Sequence, residues 1–433
     1  MTLRKLCLIS IAVLLICQLG FAQTAALRPD KTLAGKAITT VQTTGKPVPV
    51  VPAKTIVGIP AARPTVILAR SLTTKPKIAG SEPWFCDYSI GSFYAFCPLG
   101  VQTAYGVKQI IGANGGAGMT IAIVDAFAYP SAEANFAQFN SDMNLPACTT
   151  ANGCFTSINL SPTDGTGSGW DLESMLDLEY AHAMAPNAKI IYVQAYDNSY
   201  DGLGEAEGIA VGAGADIVSN SWSGGEYTAD DFYWNLGKPL LFAAGDYSSW
   251  PVQGFVGYPC SDPNVTCVGG TSLYTTNALQ RTSEVGWAGS GGGCSAAEPM
   301  PAWQGHNNSG VCAPWRASPD IAAIADPNTP VAVYICNVDW TCGYYGVGGT
   351  SVATPVSAGL YADINTARVS FGKAKFTFLN PGLYAAAAYN YNYFFYDVTS
   401  GNNGYAAGPQ FDLVTGLGNT TGKDVANRFF GLP

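Results

Sequence analysis

The sequence predicts an α/β protein with a doubly wound, mostly parallel sheet and helices on both faces. Its first support is a series of short apolar runs, including TIAIVDAF, AKIIYVQAY and KPLLFAAGD, which are typical of buried parallel strands. The second is that helix-like stretches lie between such runs, so that strand and helix alternate along the chain. This alternation favours a doubly wound domain whose functional site lies at the carboxyl ends of the strands.

The predicted elements follow one another in a simple order. TIAIVDAF is the first strand, and SAEANFAQFNSDM is the helix after it. GWDLESMLDLEYAHAMAP fits a helix, because Pro186 ends it before the strand AKIIYVQAY begins. DGLGEAEGIAVGAGA is then helix-like, ADIVSNSWS and KPLLFAAGD are further strands, and SVATPVSAGLYADINTARVS is a late helix.

Residues 1–22 are predicted to be a signal peptide. MTLRKLC supplies positive charge, LISIAVLLICQLG is an apolar core, and the small residues Gly20 and Ala22 fit cleavage after Ala22. A membrane anchor is the alternative, but an anchor needs about 20 apolar residues and this run is shorter. We therefore expect a secreted protein, extracellular or periplasmic, with no membrane association after signal removal.

Residues 23–84 differ in composition from the rest of the chain. They are rich in Pro, Thr, Val, Ala and Lys and show no helical or alternating period, which predicts a low-structure linker or short prosegment. Aromatic residues, cysteines and buried-type apolar runs begin at Trp84, so residues 85–433 are expected to form the folded domain. The formal net charge is −9 without basic runs, which argues against nucleic acid as a partner.

Ten of the twelve cysteines remain after the signal peptide is removed. An even number of cysteines in an exported chain indicates disulfides. The simplest pairing joins each cysteine to its sequence neighbour and closes five short loops. Zinc binding is the alternative, but the chain has no CxxC motif and only two histidines.

The stretch GVGGTSVATPVSAGL places Ser351 at the head of a helix of small residues. Gly348 and Gly349 allow close approach of a substrate, and the helix start offers unpaired N–H groups to an oxyanion. Pro355 fits if it lies in the first helical turn, which can spare an N–H. Ser351 is therefore a candidate nucleophile, and a simple helix N-cap is the alternative interpretation.

A nucleophilic serine needs a base, and neither His182 nor His306 lies in a motif suited to that role. Glu173 and Asp177 are four residues apart, so they share one face of the predicted helix. In a cleft the two carboxyl groups would couple, and one would keep its proton well above its ordinary pKa. An ordinary acidic helix face is the competing interpretation.

Asp246 follows the apolar run LLFAAG directly. The end of a buried strand is a site position in an α/β domain. A carboxyl group partly removed from water there would have a raised pKa and could donate a hydrogen bond while neutral. A turn aspartate after glycine is the alternative.

Taken together, these segments resemble the sedolisin family, the serine-carboxyl peptidases with a subtilisin-like fold. The resemblance runs in order from about Tyr88 to the C-terminus and includes ESMLDLEYAHAMAPNAKI, VSNSWS, FAAGDYS, GGTSVATPVSAGL, DVTSGNNG and FDLVTGLG. GGTSxxxP alone is shared with ordinary subtilisins, whereas its combination with E-x-x-x-D, AAGD and the C-terminal segments is highly specific. The subtilisin motif His-Gly-Thr does not occur in the chain, and the sedolisin family uses Glu in place of that His.

The resemblance implies that residues 85–433 form a peptidase catalytic domain that acts on protein or peptide substrates in acid. Ser351 would be the nucleophile, Glu173 its general base, and Asp177 the residue that holds Glu173 and shares its proton. Asp246 would be a protonated oxyanion-hole residue, joined by the backbone N–H of Ser351. A carboxylate base and a protonated donor both require an acidic medium.

The resemblance also implies an extension of the carboxyl chain through Asp125 and Trp222. It further implies one structural calcium ion, bound by the residues of a C-terminal loop region. The ligands would be the carboxylates of Asp397 and Asp412 and the backbone carbonyls of Val398, Gly408 and Gln410, with water completing about six oxygens. From the residues alone, DVTSGNNG predicts an Asx/Gly turn.

The leading interpretation is thus a secreted, calcium-containing, monomeric endopeptidase. A tripeptidyl-type exopeptidase of the same family is the second, and a loop that blocks the nonprime side of the cleft would distinguish it. A non-catalytic peptide-binding member is the third, against which all four catalytic-type residues argue. Family members commonly carry a long folded prosegment, so the short segment 23–84 leaves self-activation open.

Overall fold

The computed structural model describes residues 61–72, 86, 95–107, 114–226, 236–248, 256–305, 309–336 and 341–420. The predicted signal peptide, the predicted linker up to residue 60 and His306 lie outside these residues. Within the described ranges, no helix has both the length and the apolar character that crossing a membrane requires.

The described residues form short strands and six α-helices, numbered here in chain order. The strands are β1 (Arg63–Pro64), β2 (Ile67–Leu72), β3 (Thr120–Ala126), β4 (Phe155–Asn159), β5 (Lys189–Ala195), β6 (Ile217–Asn220), β7 (Trp222–Ser223), β8 (Leu240–Ala243), β9 (Thr266–Thr275), β10 (Arg281–Gly286), β11 (Gly293–Pro299), β12 (Trp315–Ser318), β13 (Ile321–Ile324), β14 (Val331–Cys336) and β15 (Cys342–Gly348). The helices are α1 (Pro98–Ala104), α2 (Ala132–Asp142), α3 (Trp170–Met184), α4 (Tyr200–Gly212), α5 (Thr350–Ser370) and α6 (Leu379–Phe394).

The central sheet follows the order β10-β9-β8-β6-β3-β5-β4, and β13 also pairs with β9. All of these pairs are parallel except β9 with β10. The chain places β4 and β5 on one side of β3 and β6, β8 and β9 on the other. The predicted doubly wound, mostly parallel sheet is confirmed, and β3 lies at the switch point where such sheets form their sites.

Helices cover both faces of this sheet because alternate side chains of β3 enter different cores. Ile121 and Ile123 belong to a buried cluster that also contains side chains of α3 and α5. Ala122 and Val124 belong to a second buried cluster, which contains Leu203 of α4. The period-two alternation of a strand therefore supplies apolar area to each face, and burial of that area stabilises both layers.

Helices α3 and α5 lie side by side and bring the candidate site together. A Cβ atom at Gly359 would lie 2.4 Å from the Cβ of Met184, so only glycine allows this close packing. Gly359 follows Ser351 by eight residues, and Met184 lies near the end of α3. The two helices therefore run in the same direction, with their first turns adjacent.

Five disulfides join sequence neighbours, as the sequence predicts. The pairs are Cys86–Cys97, Cys148–Cys154, Cys260–Cys267, Cys294–Cys312 and Cys336–Cys342. Two of these cysteines lie near His182 in a grouping with metal-ligand geometry. Because Cys148 and Cys154 are joined to each other, they offer no thiolate to a zinc ion.

Residues 61–72 correct the expectation of low structure for that part of the linker. The strand β1 pairs antiparallel with β7, and β2 pairs antiparallel with β15. Val331 to Cys336 of β14 completes a three-stranded sheet with β15 and β2. This segment is thus integrated into the folded domain.

Candidate active site

Ser351 is the second residue of α5 and is fully buried. The helix N-cap is Gly349, so the interpretation of Ser351 as an N-cap is wrong. Gly349 has φ of 111°, and a Cβ there would lie 2.1 Å from the carbonyl oxygen of Thr65 and 2.6 Å from Asp246 Oδ2. Glycine is required both by this positive φ and by the approach of the two oxygens.

The contacts of Ser351 are those of a serine facing a bound peptide. Its hydroxyl lies 2.8 Å from the hydroxyl of Thr65 and 3.2 Å from the backbone carbonyl oxygen of Ser221. Its backbone N–H donates to the carbonyl oxygen of Thr65 over 3.3 Å. A peptide carbonyl therefore occupies the place at the helix start where an oxyanion would be stabilised.

Pro355 lies inside α5, one turn later than the sequence predicts. It is the sixth residue of the helix, so its missing N–H leaves the carbonyl oxygen of Ser351 without its helical partner. The hydroxyl of Ser221 lies 3.2 Å from that oxygen and 2.6 Å from Asp177 Oδ1. The hydroxyl of Ser221 thus lies between the backbone carbonyl of Ser351 and the carboxyl group of Asp177.

Glu173 and Asp177 are fully buried on α3, next to the first turn of α5. The competing interpretation, an exposed acidic helix face, is therefore wrong. Asp177 accepts a hydrogen bond from the hydroxyl of Ser221, whereas neither carboxyl oxygen of Glu173 has a hydrogen-bond partner among the described residues. A buried acid without partners is costly to keep charged.

The pKa values of this pair are raised for that reason. Burial, followed by the charges of Asp177 and Asp125, raises the pKa of Glu173 well above its ordinary value, and the hydroxyl of Ser351 opposes the rise. Burial and the charge of Asp125 likewise raise the pKa of Asp177, against the hydrogen bond from Ser221. The three carboxyl groups repel one another when charged, so they share protons well above the usual range.

Asp125 and Trp222 lie close to this cluster but act differently. Asp125 lies in β3 and is fully buried, and burial raises its pKa to about 7, while the nearby hydroxyl of Ser174 opposes the rise. The indole N–H of Trp222 donates to the backbone carbonyl of Val124, and its ring packs edge-on against Phe242. Asp125 thus contributes to the electrostatics of the cluster, while the indole N–H of Trp222 is directed to the backbone.

Asp246 lies three residues beyond β8, beside Gly349. Its Oδ1 accepts hydrogen bonds from the backbone N–H and the hydroxyl of Thr350, at 2.7 Å and 2.8 Å. Its Oδ2 is buried without a hydrogen-bond partner in the described structure, and it approaches the same point as the carbonyl oxygen of Thr65. Burial raises the pKa of Asp246 to about 7, although both bonds from Thr350 lower it. A neutral Asp246 could donate from Oδ2 to that carbonyl.

His182, the described histidine, takes no part in this arrangement. Its Nε2 lies 2.8 Å from the carbonyl oxygen of Pro146, and its ring packs edge-on against Phe136. Burial lowers its pKa to about 4, against the contact with Pro146. It is a buried residue that stays neutral over most of the pH range.

The predicted calcium ligands lie together in one C-terminal loop region. Both carboxyl oxygens of Asp397 accept from the backbone N–H of Gln410, at 3.0 Å and 3.1 Å. Asp412 Oδ2 accepts from the N–H of Gly408, and its Oδ1 accepts from the N–H groups of Val414 and Thr415. Gln410 has φ of 62°, a conformation that glycine adopts more readily. Asp397 and Asp412 thus offer carboxylate oxygens in one loop region, and oxygen is the ligand type that calcium takes.

Residues 61–65 lie across the candidate site, a position that no pattern in the sequence predicts. The N–H of Thr65 donates to the carbonyl of Ser221, and the N–H of Ala62 donates to the carbonyl of Asn198. A cavity of about 340 Å³ lies beside the segment; it is lined by Arg63, Tyr247 and small residues.

Thr350 and Ser221 were also missed as site residues, although both lie in segments that carried the family resemblance.

The chain resembles known peptidases in sequence and in fold. A family model described as "Subtilase family" matches residues 157–377. Kumamolisin from Bacillus sp. (strain MN-32) is 33% identical over 364 residues, covering 76% of this chain and 62% of kumamolisin. Tripeptidyl-peptidase 1 from Bos taurus is 35% identical over 212 residues, covering 42% of this chain and 35% of that protein.

The structure of Pseudomonas sedolisin, a serine-carboxyl proteinase complexed with pseudo-iodotyrostatin, has a TM-score of 0.65 to this chain. The match has 24% identity and covers 77% of this chain and 97% of sedolisin, so it supports the fold. The class defined by this fold is that of subtilisin-like proteins. The chain belongs to the subtilase family, in its sedolisin branch. It spans about three fifths of the length of kumamolisin and about one third of tripeptidyl-peptidase 1.

Proposed function

We propose that this chain is a secreted serine-carboxyl endopeptidase that hydrolyses peptide bonds at acidic pH. One observation carries the proposal: a peptide carbonyl, that of Thr65, accepts from the N–H of Ser351 beside a buried Asp246 oxygen. The proposed nucleophile and oxyanion donors thus lie at one peptide group, and the proposed base Glu173 is buried near Ser351; acyl transfer needs such an arrangement.

In the proposed reaction, Ser351 Oγ attacks the carbonyl carbon while Glu173 takes its proton. Asp177 is the positioning residue, which shares a proton with Glu173 and is itself held by the hydroxyl of Ser221. The negative oxygen that develops is stabilised by the N–H of Ser351 and the protonated carboxyl of Asp246. Glu173 then returns the proton to the leaving amine, and water hydrolyses the acyl-enzyme by the same route.

An acidic working range follows from these roles. The pKa of Asp246 is about 7 in the closed cleft, so its donor form is lost as the pH rises through that value. Opening the cleft to water would lower this pKa, because burial is the main cause of its rise. The base, in contrast, must have lost its proton, so the coupled acids Glu173 and Asp177 set the acidic limit.

An endopeptidase is favoured over a tripeptidyl-type exopeptidase. Residues 61–65 lie on the nonprime side of Ser351, and the bridge between Ala61 and Ser199 extends the contacts to the fifth residue. An exopeptidase that releases three residues would need this side closed after the third. The cleft in this chain accommodates a longer segment.

We also infer that the C-terminal loop binds one structural calcium ion. Asp397 and Asp412 would supply carboxylate oxygens, and Val398, Gly408 and Gln410 would supply backbone carbonyls. The support is the shared loop: Asp397 is bonded to the N–H of Gln410, and Asp412 to that of Gly408. Bound calcium would neutralise the two charges and hold the loop closed.

We further propose that residues 1–22 direct export of the chain. The protein would then act as a monomer on protein or peptide substrates. The five disulfides are consistent with an oxidising compartment.

The test compares Ser351→Ala with Ser370→Ala, a control at the other end of the same helix. We expect Ser351→Ala to lose hydrolysis of an unfolded protein at acidic pH and to keep its melting temperature, while the control stays active. Hydrolysis by a folded Ser351→Ala protein would exclude Ser351 as the nucleophile.

A further inference from the structure

We propose that Asn403, in the C-terminal loop region, is a positioning residue for the oxyanion-hole acid Asp246. It acts through residues 287–292, the segment that connects β10 to β11. The inference rests on the proposed function, because it needs Asp246 to be an oxyanion donor. It adds a physical link between the C-terminal loop region and the site.

Asp246 lies on a loop, so its position depends on what holds that loop. On one side, the hydroxyl of Thr350 accepts from the N–H of Gly245 over 3.1 Å and donates to Asp246 Oδ1 over 2.8 Å. The proposed donor atom is Oδ2, which has no hydrogen-bond partner in the described structure. The direction of Oδ2 therefore follows the backbone of the loop.

The connecting segment 287–292 holds the start of this loop. The N–H of Gly291 donates to the carbonyl oxygen of Gly245 over 2.7 Å. A Cβ atom at Gly291 would lie 1.9 Å from the carbonyl oxygen of Ala244, so only glycine lets the two backbones approach so closely. A shift of the segment would therefore move the residues just before Asp246.

The same segment also holds the end of the loop. The N–H of Ser248 donates to the carbonyl oxygen of Gly289, and its hydroxyl donates to that of Ala288, each over 2.8 Å. Asp246 lies between these contacts and the contact at Gly245. The segment thus fixes the backbone on both sides of Asp246.

Asn403 ties the connecting segment to the C-terminal loop region. It is buried, and its amide donates to the carbonyl oxygen of Ser290 over 2.9 Å and to that of Leu413 over 3.3 Å. Its side-chain oxygen accepts from the N–H of Tyr405 over 3.1 Å. Removing the amide takes a donor from two buried carbonyl groups, which destabilises the present position of the segment.

A small displacement is enough to reduce the rate. The path runs from Asn403 through Ser290 and Gly291 to Gly245, the residue before Asp246. Groups that stabilise a transition state must lie within about 0.5 Å of their productive position. A misplacement of about 1 Å caused by a remote change can cost about 10²-fold in rate.

The surroundings of Asp246 make its titration a reporter of this displacement. Glu173 of α3 interacts with Asp246 through charge, and Arg63 and the mostly exposed Tyr247 line the cavity beside the loop. Residues 287–292 and the first turn of α5 carry no ionisable side chain. Burial is the main cause of the raised pKa of Asp246, so moving the loop toward water would lower this pKa.

The experiment measures kcat, KM and the pH–rate profile of the full chain on an unfolded protein substrate. Excess calcium is present throughout, so that ion occupancy is not the cause of a difference. Asn403→Ala is compared with the matched control Asn419→Ala; Asn419 is also buried in the C-terminal part, and its amide donates to the carbonyl oxygen of Ala322 over 3.2 Å.

We expect Asn403→Ala to lower kcat by about 10- to 100-fold with a smaller change in KM. The alkaline limit of its rate should move to lower pH, because the donor form of Asp246 is then lost earlier. Asn419→Ala should keep the wild-type kcat per folded molecule and the wild-type alkaline limit. Asn403→Leu, which fills the space without a donor, gives the same test if Asn403→Ala does not fold.

A double-mutant cycle with Asp246→Ala shows whether the effect passes through Asp246. In the Asp246→Ala background, Asn403→Ala should cost little further rate, because the donor that it positions is already absent. An equal loss in both backgrounds would overturn the inference, since Asn403 would then act elsewhere.

The remaining outcomes separate this inference from the proposed function. A folded Asn403→Ala protein with the rate and alkaline limit of the wild type would overturn the inference alone. A wild-type rate in Asp246→Ala would overturn the role of Asp246 and the inference with it. A correctly folded wild type that hydrolyses no peptide bond would overturn both the inference and the proposed function.

Discussion

Asp320 and Glu173 are both fully buried acids, but they differ in the number of hydrogen-bond donors around the carboxyl group. Asp320 receives four hydrogen-bond donors: the guanidinium of Arg316 at 2.6 Å, the hydroxyl of Tyr384 at 2.8 Å, the N–H of Cys267 and the amide of Asn380. Glu173 has none in the described structure, and the nearby charges are those of other acids. Burial alone therefore does not identify a functional acid; an acid that is buried without a partner and lies beside a candidate nucleophile is the stronger candidate.

The largest expected effect comes from removing the charge of the unsatisfied acid. Glu173→Gln should lower the rate of peptide hydrolysis by about 10²–10⁴-fold, the usual contribution of a general base. Its stability near neutral pH should be equal to or higher than that of the wild type, because no uncompensated charge remains buried. Steady-state rates and thermal melts measure the two effects; a rate close to normal would exclude Glu173 as the base.

Asp246 provides a second test, because its Oδ2 is also buried without a hydrogen-bond partner among the described residues. Asp246→Ala should cost about 10²–10³-fold in rate, because it removes one oxyanion donor. Asp246→Asn keeps a donor that does not titrate, so it should lose less activity and extend its activity toward neutral pH. If both variants have the pH profile of the wild type, Asp246 has no role as a protonated donor.

Replacing Asp320 should lower stability and leave activity unchanged. Asp320→Asn leaves the guanidinium of Arg316 buried without its counter-charge, which typically costs about 3–5 kcal/mol of stability. Activity per folded molecule should be unchanged, because Asp320 lies outside the reacting groups. Chemical unfolding measures the stability, and titration of active sites gives the activity per folded molecule. A stable but inactive protein would show that Asp320 also affects the reacting groups.

The raised pKa values predict that folding is strongest in acid. Asp125 and Asp246 have folded-state pKa values of about 7, above their ordinary value of 3.8. Each therefore contributes stability that is fully present below about pH 4 and is lost as the pH rises through about 7. The melting temperature should fall by several degrees from pH 5 to pH 8, and Asp125→Asn should reduce that fall. An unchanged slope in Asp125→Asn would contradict the shift at this residue.

Removal of calcium from the proposed C-terminal site should give the smallest effect. A chelator should lower the melting temperature of the wild type by a few degrees, through loss of binding to the folded state. The effect should disappear in Asp412→Ala and persist in Asp164→Ala, which removes an exposed turn carboxylate. Equal melts with and without the chelator would argue against the site.

The fold and the buried acidic pair were predictable because their signals are local. Alternating apolar runs and helices specify the parallel sheet, and the spacing of Glu173 and Asp177 specifies a shared helix face. Their proximity to Ser351 depends on the packing of α3 against α5, which the sequence indicated only through the family resemblance. Gly359, which permits that packing, carries no signal in its own segment.

The cleft-bound segment could not be predicted for a physical reason. Strand β1 has two residues, one of them proline, so it has no alternation to detect. Its structure comes from pairing with Trp222 and Ser223, more than 150 residues away in the chain. The position of Pro355 was missed in a similar way, because the hydroxyl of Ser221 compensates for the lost helical bond.

The most direct test of the central claim is a pH–rate profile on an unfolded protein substrate, from pH 2 to pH 8, for the processed wild type and Glu173→Gln. We expect activity confined to acid in the wild type, with an alkaline limit at or below about pH 7, and loss of activity in the variant. Activity that rises toward neutral pH, or that survives in Glu173→Gln, would contradict a carboxylate-driven serine peptidase.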